Sequence, residues 1–111
     1  MYEKEISRRH KCKITVLRRE LYEDLQAEYS ANLKAGKCEL FREGQEWIVD
    51  ERNYLINSQL ICSYAWDAIS KWVYAALQGG SMLRANDEKV AITCCNDGIR
   101  PVIFKLERID E

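Results

Sequence analysis

Histidine and proline are nearly absent from the sequence, which contains one residue of each, and long apolar runs are missing altogether. The single histidine, His10, lies in a basic segment near the start of the chain, which disfavours a cysteine–histidine catalytic pair or a histidine-based metal site. The sequence also has no glycine-rich phosphate loop and no Ser/His/Asp set. No apolar run approaches the roughly 20 residues that span a bilayer, and the N-terminus has no signal-peptide hydrophobic region. We therefore expect a cytoplasmic protein without membrane contact.

A strong charge of either sign is also lacking, because the formal net charge is −1 at pH 7. The chain has no overall basic field of the kind that attracts nucleic acid or an anionic membrane, so neither partner is expected. Basic residues are nevertheless concentrated near the start, at Lys4, Arg8, Arg9, Lys11, Lys13, Arg18 and Arg19. We predict that residues 1–10 form a basic N-terminal extension, which is either a solvated tail or an arm that contacts phosphates.

Cysteine is the abundant reactive residue, with five thiols at Cys12, Cys38, Cys62, Cys94 and Cys95. An odd number of cysteines in a chain expected to be cytoplasmic argues against a disulfide framework. The cysteines are therefore expected to be reduced and buried, to bind a metal, or to react with a substrate.

The hydrophobic pattern predicts the fold class. Residues 11–18 alternate between apolar and polar side chains, which indicates a half-buried strand, and residues 45–49 predict another strand. Residues 21–31 and 63–78 have helical periodicity, and two β-rich runs flank Asn96-Asp97-Gly98 in a C-terminal hairpin pattern. We predict a small single α+β domain over residues 11–111, with a mostly antiparallel sheet and two helices packed on it. We place the first strand beside the last.

Several local predictions accompany this fold. The first helix should bury a stripe of Leu21, Leu25 and Tyr29, and the second should begin with Ser63 as N-cap and end at Gly79-Gly80. The second helix should bury Ala65, Ile69, Trp72, Val73 and Ala76. The Asn/Asp-Gly pair predicts a tight turn with positive φ, and Pro101 should open the last strand. Residues 50–60 and 81–88 are predicted connections, the former with a short extended piece near residues 54–56.

Four of the cysteines fall near the ends of predicted elements, namely Cys38, Cys62, Cys94 and Cys95. Four thiolates could bind zinc or an iron–sulfur cluster if the fold brought them together. The spacings match no standard metal signature, and adjacent residues such as Cys94 and Cys95 point to opposite faces of a strand unless the backbone bends. The alternatives are buried thiols that act as small apolar residues, or one reactive cysteine.

A catalytic interpretation centres on Cys95, Asp97 and Arg100. Arg100 could hold an anionic group and Asp97 could orient Arg100 or act as a base, whereas the alternative is simple turn chemistry with a surface ion pair. Cys62 lies near a helix N-terminus, whose dipole favours an anion. Cys62, Tyr64 and Trp66 are candidates for the lining of a small-molecule pocket, although aromatic residues at helical spacing often belong to the core.

Three segments together resemble a small family of bacterial and archaeal proteins, common in anaerobes, that has no established activity. The segments read CELFREGQE at 38–46, CSYAW at 62–66 and CCNDGIRPVIFKLER at 94–108. The resemblance implies that Cys38, Cys62, Cys94 and Cys95 are the family's cysteine positions and that Cys12 is not. This chain departs from the family pattern at Glu39, where a proline is usual, and in its more polar residues 50–60.

These observations leave three hypotheses for a cysteine-centred site at the end of strand 91–95, the start of helix 63–78 and the loop at Cys38. The first is a site that binds zinc or an iron–sulfur cluster in a redox or accessory role. The second is a small cysteine-dependent enzyme that acts on a small anionic substrate. The third is an interaction module with buried structural cysteines, which would bind a protein partner or form a homodimer.

Overall fold

The computed structural model describes residues 10–54, 61–82 and 86–110. These residues form, in order, β1 (His10–Arg19), α1 (Glu23–Tyr29), β2 (Glu46–Val49), α2 (Ser63–Leu77), β3 (Val90–Cys94) and β4 (Val102–Asp110). The strands of this part of the chain make a four-stranded antiparallel sheet in the order β2-β1-β4-β3, with the two helices packed on it. The predicted α+β class is therefore confirmed.

The centre of the sheet is the antiparallel pair of β1 and β4, which confirms that the first strand lies beside the last. Ile14 lies opposite Leu106 and Val16 lies opposite Phe104, and all four side chains are buried. The alternation that predicted β1 therefore marks the face that packs in the core. Leu17 is an extra residue at a bulge between Val16 and Arg18, and its side chain is exposed.

Helix α2 covers this face of the sheet with the side chains of Ala65, Ile69, Val73, Ala76 and Leu77. The spacing of these residues brings them onto one side of the helix, as the sequence predicts. Trp72, which was predicted to lie in the same stripe, is only partly buried and packs against the margin of the core. The predicted N-cap was also wrong, because Ser63 is the first helical residue and Cys62 occupies the N-cap position.

The C-terminal end of α2 is closed by the two glycines that the sequence places there. Gly79 has a φ of 78°, its N–H donates to the Ala76 carbonyl, and the N–H of Gly80 donates to the Ala75 carbonyl. This pair of hydrogen bonds is the Schellman arrangement, which requires a left-handed residue just after the helix. Gly79 satisfies that requirement without the strain of a side chain.

Helix α1 differs from its prediction in length and in orientation. It covers Glu23–Tyr29 rather than residues 21–31, and its buried residue is Gln26. The predicted stripe faces outward, since Leu25 is 37% and Tyr29 is 71% exposed. The reason is the way the chain reaches the helix: Tyr22 is extended and its N–H donates to the Ile99 carbonyl, which sets the rotation of the first turn.

The β3–β4 connection is a loop of residues 95–101 rather than the predicted tight turn at Asn96-Asp97-Gly98. Among the described glycines only Gly44 and Gly79 have positive φ, so Gly98 does not use the freedom that predicted the turn. Asp97 organises the loop instead, because its Oδ1 accepts hydrogen bonds from the backbone N–H groups of Ile99 and Arg100, each at 2.9 Å.

Some predictions fall on residues outside the described ranges. The basic extension does so over residues 1–9, whereas His10 is the first residue of β1. Of the extended piece predicted near residues 54–56, only Tyr54 is within the described residues. Residues 83–85 of the loop predicted at 81–88 are also outside the described ranges. In the described part of the chain, no helix combines the length and the apolar character needed to cross a bilayer.

Candidate functional site

A cavity of about 250 Å³ lies where three parts of the chain meet: the loop before β2, the start of α2 and the β3–β4 connection. Its lining includes three thiols, those of Cys38, Cys62 and Cys95, together with Asp97 and Arg100. The remaining lining residues are Glu39, Leu40, Phe41, Tyr64 and Val102. The structure thus brings together side chains that are far apart in the sequence at the place where the cysteine-centred site was predicted.

The loop that carries Cys38 is fixed by one aromatic anchor and by two arginines. Phe41 is buried and contacts Phe104 edge-on, with ring centroids 5.3 Å apart. Arg19 donates to the Cys38 carbonyl at 2.7 Å, and Arg100 donates from Nη2 to the Lys37 carbonyl at 3.1 Å. These contacts position Cys38 against the sheet although the loop has no regular secondary structure around it.

Cys62 and Cys95 are held at their places by the elements that they adjoin. Cys62 is the N-cap of α2, and its carbonyl accepts the first helical hydrogen bond, from the Trp66 N–H at 2.9 Å. Cys95 directly follows β3, and its N–H donates to the Val102 carbonyl at 3.1 Å. The next residue, Asn96, donates from its side chain to Asp67 of α2 at 2.8 Å, which ties the loop to the helix.

Two of the cavity thiols accept hydrogen bonds from backbone N–H groups. Leu40 donates to Cys38 Sγ at 3.4 Å, and Val102 donates to Cys95 Sγ at 3.5 Å. Hydrogen bonds from backbone N–H groups to sulfur are also common around metal-bound cysteine. Cys62 is the N-cap residue of a 15-residue helix, and its side chain makes no capping hydrogen bond.

Arg100 has one nitrogen without a partner. Its Nε is buried and finds no hydrogen-bond acceptor among the described residues, whereas its Nη2 is used by the Lys37 carbonyl. A buried donor without an acceptor is uncommon in proteins and points to an absent polar partner. Asp97 does not supply one, because the hydrogen bonds that the structure gives Asp97 go to backbone N–H groups.

The other two cysteines are separated from the cavity. Cys94 lies opposite Ile103, in the row of β3 and β4 residues that faces away from the buried Phe104 and Leu106, so adjacent Cys94 and Cys95 point to opposite faces. Burial raises the pKa of the Cys94 thiol, and the neighbouring Cys95 raises it further. Cys12 is fully buried in β1, and burial raises its pKa to about 12.

Of the two aromatic residues predicted to line a pocket, one lines the cavity and the other does not. Tyr64 lines the cavity and is largely exposed, whereas Trp66 is not among the lining residues. Trp66 packs instead against Tyr54, with ring centroids 5.2 Å apart, and the Tyr54 hydroxyl donates to the Ser70 carbonyl. Trp66 therefore packs at the margin of the core beside α2.

The cysteines do not form a ready metal centre in this arrangement. Over residues 10–54, 61–82 and 86–110, no three or more histidine, cysteine, aspartate or glutamate side chains are grouped so that they could hold a metal ion. Three thiols share the cavity, but binding one ion by all three would require the lining to contract.

The sequence did not predict which apolar residues line the cavity or which residue holds the Cys38 loop in place. Phe41, Leu40 and Val102 line it, and Arg19 holds the Cys38 loop from β1. Val102 could have been inferred, because it follows Pro101 in the strand beside Cys95. The role of Arg19 has no local signal, since it depends on a contact between residues 19 and 38.

Comparisons of the chain with protein-family models, with curated proteins and with solved structures found no match.

Proposed function

We propose that this protein is a small cysteine-dependent enzyme whose cavity binds a small anionic molecule. The observation that carries the proposal is that three cysteines and an arginine line one cavity, and that the buried Nε of this arginine, Arg100, has no acceptor among the described residues. A cavity of about 250 Å³ matches a molecule of a few heavy atoms, smaller than the usual drug-sized ligand. The apolar residues Leu40, Phe41 and Val102 would exclude water from the bound molecule.

Arg100 is the residue that would bind the anionic group. A guanidinium presents several N–H donors in a fixed plane, which suits a carboxylate or phosphate oxygen. The hydrogen bond from Nη2 to the Lys37 carbonyl holds the side chain in place before a ligand arrives. Asp97 acts through the backbone of the loop and thereby fixes the position of Arg100, rather than acting as a base.

Cys95 is the best candidate for the nucleophile. It belongs to the same loop as Arg100, and its sulfur accepts a hydrogen bond from the Val102 N–H. In the reaction that we propose, the Cys95 thiolate attacks the carbonyl carbon of a bound anionic ester or amide; a thioester forms while the bond to the leaving group breaks, and the leaving group takes a proton from water. Water then hydrolyses the thioester, which releases a carboxylic acid and restores the free cysteine, and Cys38 and Cys62 contribute to the cavity walls.

A second candidate function is the binding of zinc or an iron–sulfur cluster in a redox or accessory role. The N–H···S hydrogen bonds to Cys38 and Cys95 favour this candidate, since such bonds are common around metal-bound sulfur. Cys38, Cys62 and Cys95 would be the ligands, and Cys94 would not, because it faces the other side of the sheet. Three protein ligands would leave one position of a tetrahedral zinc ion open to an external ligand.

The two candidates can be separated with protein purified without oxygen. Elemental analysis and a visible spectrum are recorded first, because near-stoichiometric zinc, or iron with a charge-transfer band, would favour the metal site over the enzyme. Metal-free protein is then treated at pH 7 with iodoacetate or with iodoacetamide, and modified cysteines are identified by mass spectrometry. These reagents alkylate the same thiolate, but only iodoacetate is an anion.

We expect Cys95 to react fastest and to prefer iodoacetate, because Arg100 would hold the carboxylate beside the thiolate. The variant Arg100→Met should lose about tenfold or more of the iodoacetate rate while the iodoacetamide rate changes little. Arg42→Met, which removes an exposed arginine outside the cavity lining, is the matched control. Equal rates with both reagents in wild-type protein would contradict the anion site, and absence of metal together with slow, unselective alkylation would contradict both candidates.

A further inference from the structure

The lining of the cysteine cavity changes in character between its inner end and its opening. Phe41 and Val102 are buried and lie at the inner end, whereas the lining cysteines and Arg100 are half-buried. Leu40 and Tyr64 also line the cavity, but their exposed fractions are 68% and 62%. A lining residue that is exposed to this degree lies at the opening. Two large, mainly apolar side chains therefore flank the mouth of the cavity.

Leu40 and Tyr64 come to this mouth from parts of the chain that are distant in sequence. Leu40 follows Cys38 by two residues, and its N–H donates to the Cys38 sulfur at 3.4 Å. Tyr64 follows Cys62 by two residues, in the first turn of α2. Single exposed apolar side chains are common on protein surfaces, but two that the fold brings together beside a cavity form a surface that an apolar group can cover.

Both sides of the mouth are held in place by contacts of neighbouring residues. Phe41, next to the leucine of the mouth, contacts Phe104 and Trp47 edge-on, with ring centroids 5.3 and 5.8 Å apart. The tyrosine side belongs to α2, which is tied to the loop after β3 by the hydrogen bond from Asn96 to Asp67 at 2.8 Å. The backbone of both sides is thereby fixed, so binding at the mouth has to order little of the protein.

The reaction proposed for Cys95 determines which part of a substrate lies at the mouth. The acyl group stays on the cysteine as a thioester, whereas the leaving group has to reach water. Arg100 is less exposed than the residues of the mouth, so the carboxylate that it binds belongs to the acyl part. Glu39, the third exposed residue of the lining, carries a carboxyl group that disfavours a negatively charged leaving group.

We propose that the substrate is a monoester or monoamide of a short dicarboxylic acid, with an apolar alcohol or amine as the leaving group. The free carboxylate binds Arg100, the reacting carbonyl lies beside Cys95, and the leaving group packs between Leu40 and Tyr64. Removal of apolar surface from water makes this packing favourable. The inference rests on the function proposed above and adds to it the class of the substrate and the residues that select it.

The test compares two esters that differ in the leaving group alone, benzyl hydrogen succinate and methyl hydrogen succinate. Hydrolysis gives succinate and either benzyl alcohol or methanol. Binding of each ester is measured by calorimetry with the full-length variant Cys95→Ala, which cannot form the thioester, and turnover is measured with the wild type. We expect the benzyl ester to bind about tenfold or more tightly than the methyl ester, because only the benzyl group covers the mouth.

Two variants identify the residues that bind the leaving group. Leu40→Ser and Tyr64→Ser, each combined with Cys95→Ala, should reduce the ratio of the two affinities several-fold. Both residues are exposed, so these substitutions are expected to leave the fold intact. Leu33→Ser is the matched control, because Leu33 is 60% exposed and does not line this cavity, and it should keep the ratio of Cys95→Ala unchanged.

The outcomes distinguish the substrate class from the cysteine chemistry. Equal affinities of Cys95→Ala for the two esters, or no binding of either at millimolar concentration, would overturn the substrate class even if the wild type hydrolysed both. A benzyl preference that survives both substitutions at the mouth would overturn it as well, because the leaving group would then pack elsewhere. Tighter binding of the benzyl ester without turnover by the wild type would support the binding mode and contradict the cysteine chemistry.

Discussion

At the level of single residues, position in the fold divides the five cysteines into two groups. Cys12 and Cys94 have pKa values raised chiefly by burial, so at neutral pH they are protonated thiols. Cys38, Cys62 and Cys95 line the cavity, and the sulfur atoms of Cys38 and Cys95 each accept a hydrogen bond from a backbone N–H group. Their neighbours therefore make these three the candidates for sulfur chemistry, although all five residues are identical in the sequence.

Cys12 should make the protein sensitive to alkaline pH. Burial raises its pKa from 9.0 to about 12, so above pH 9 the unfolded chain loses a proton that the folded chain keeps. The free energy of unfolding should consequently fall as pH rises through this window. Between pH 8 and pH 10.5 the loss attributable to Cys12 should be about 2 kcal/mol, from 1.4 kcal/mol per pH unit once the unfolded thiol ionises.

This loss can be measured as a difference between wild type and Cys12→Ala in urea unfolding. The variant has a lower free energy of unfolding at pH 8 because it leaves a small cavity in the core. The gap between the two proteins should narrow towards pH 10.5, since only the wild type carries the raised pKa. A gap that stays constant over this range would show that Cys12 does not titrate differently in the two states.

At the scale of elements, α2 was predictable and α1 was not. The apolar residues of α2 recur over four turns, so the buried side follows from the spacing of Ala65, Ile69, Val73 and Ala76. Helix α1 has only seven residues, and the side that it buries depends on how the preceding strand delivers the chain. The outward Leu25 and Tyr29 show that a short apolar stripe does not by itself determine which side of a helix is buried.

The glycine at the C-terminal end of α2 should contribute to the stability of the protein. Gly79→Ala would place a Cβ on a residue with φ of 78°, and 2.9 Å from Nε2 of His10. We expect the free energy of unfolding to fall by about 1–2 kcal/mol, because a left-handed alanine is strained and His10 has to move away from Asp110.

Gly36→Ala is the matched control for this change. Gly36 has no atom within 4 Å of its Cβ position and has no positive φ, so its substitution should alter the free energy of unfolding by less than about 0.5 kcal/mol. Urea unfolding of both variants beside the wild type decides the matter. Equal stability of Gly79→Ala and Gly36→Ala would contradict the role given to Gly79 at the helix end.

At the scale of the molecule, the sequence predicted the layers and the approximate place of the cavity, but not what holds them together. Alternation and helical spacing are local properties, and they predicted β1, α2 and their buried faces. The support of Cys38 by Arg19 and Arg100 depends on pairs of residues that are distant in sequence. The same holds for the contact of Phe41 with Phe104, so no local pattern could have revealed these contacts.

Asp110 forms ion pairs with residues of both central strands and with Lys89, and these pairs predict how the stability of the protein changes at low pH. Its carboxylate contacts His10 of β1 at 2.8 Å, Arg108 of β4 at 3.0 Å and Lys89 at 3.2 Å. Hydrogen bonds from His10, then from Arg108 and Lys89, hold the Asp110 pKa well below its ordinary value of 3.8. A lowered carboxyl pKa adds stability above pH 3.8 that is lost as pH falls, because the unfolded chain takes up the proton first.

Asp110→Asn removes this contribution and should unfold more easily than the wild type at pH 6. The difference in urea midpoint between the two proteins should become smaller as the pH is lowered below about 4, because protonation of Asp110 in the unfolded wild-type chain then favours unfolding. Added salt should also reduce the difference, since these groups are partly exposed. A difference that is independent of both pH and salt would contradict the electrostatic explanation.

The pairing of β1 with β4 has a consequence for how the protein folds. His10 and Asp110 are partners although they are 100 residues apart, and this pair of strands forms the middle of the sheet. A growing chain on the ribosome can pair β1 with β2, but it cannot complete its core until β4 has left the exit tunnel. Contacts of such large sequence separation slow folding, because the entropy of closing the intervening chain is lost before the packing energy is gained. Until then the edge of β1 that pairs with β4 has open backbone hydrogen-bonding groups, so a low concentration of nascent chains should favour correct folding over aggregation.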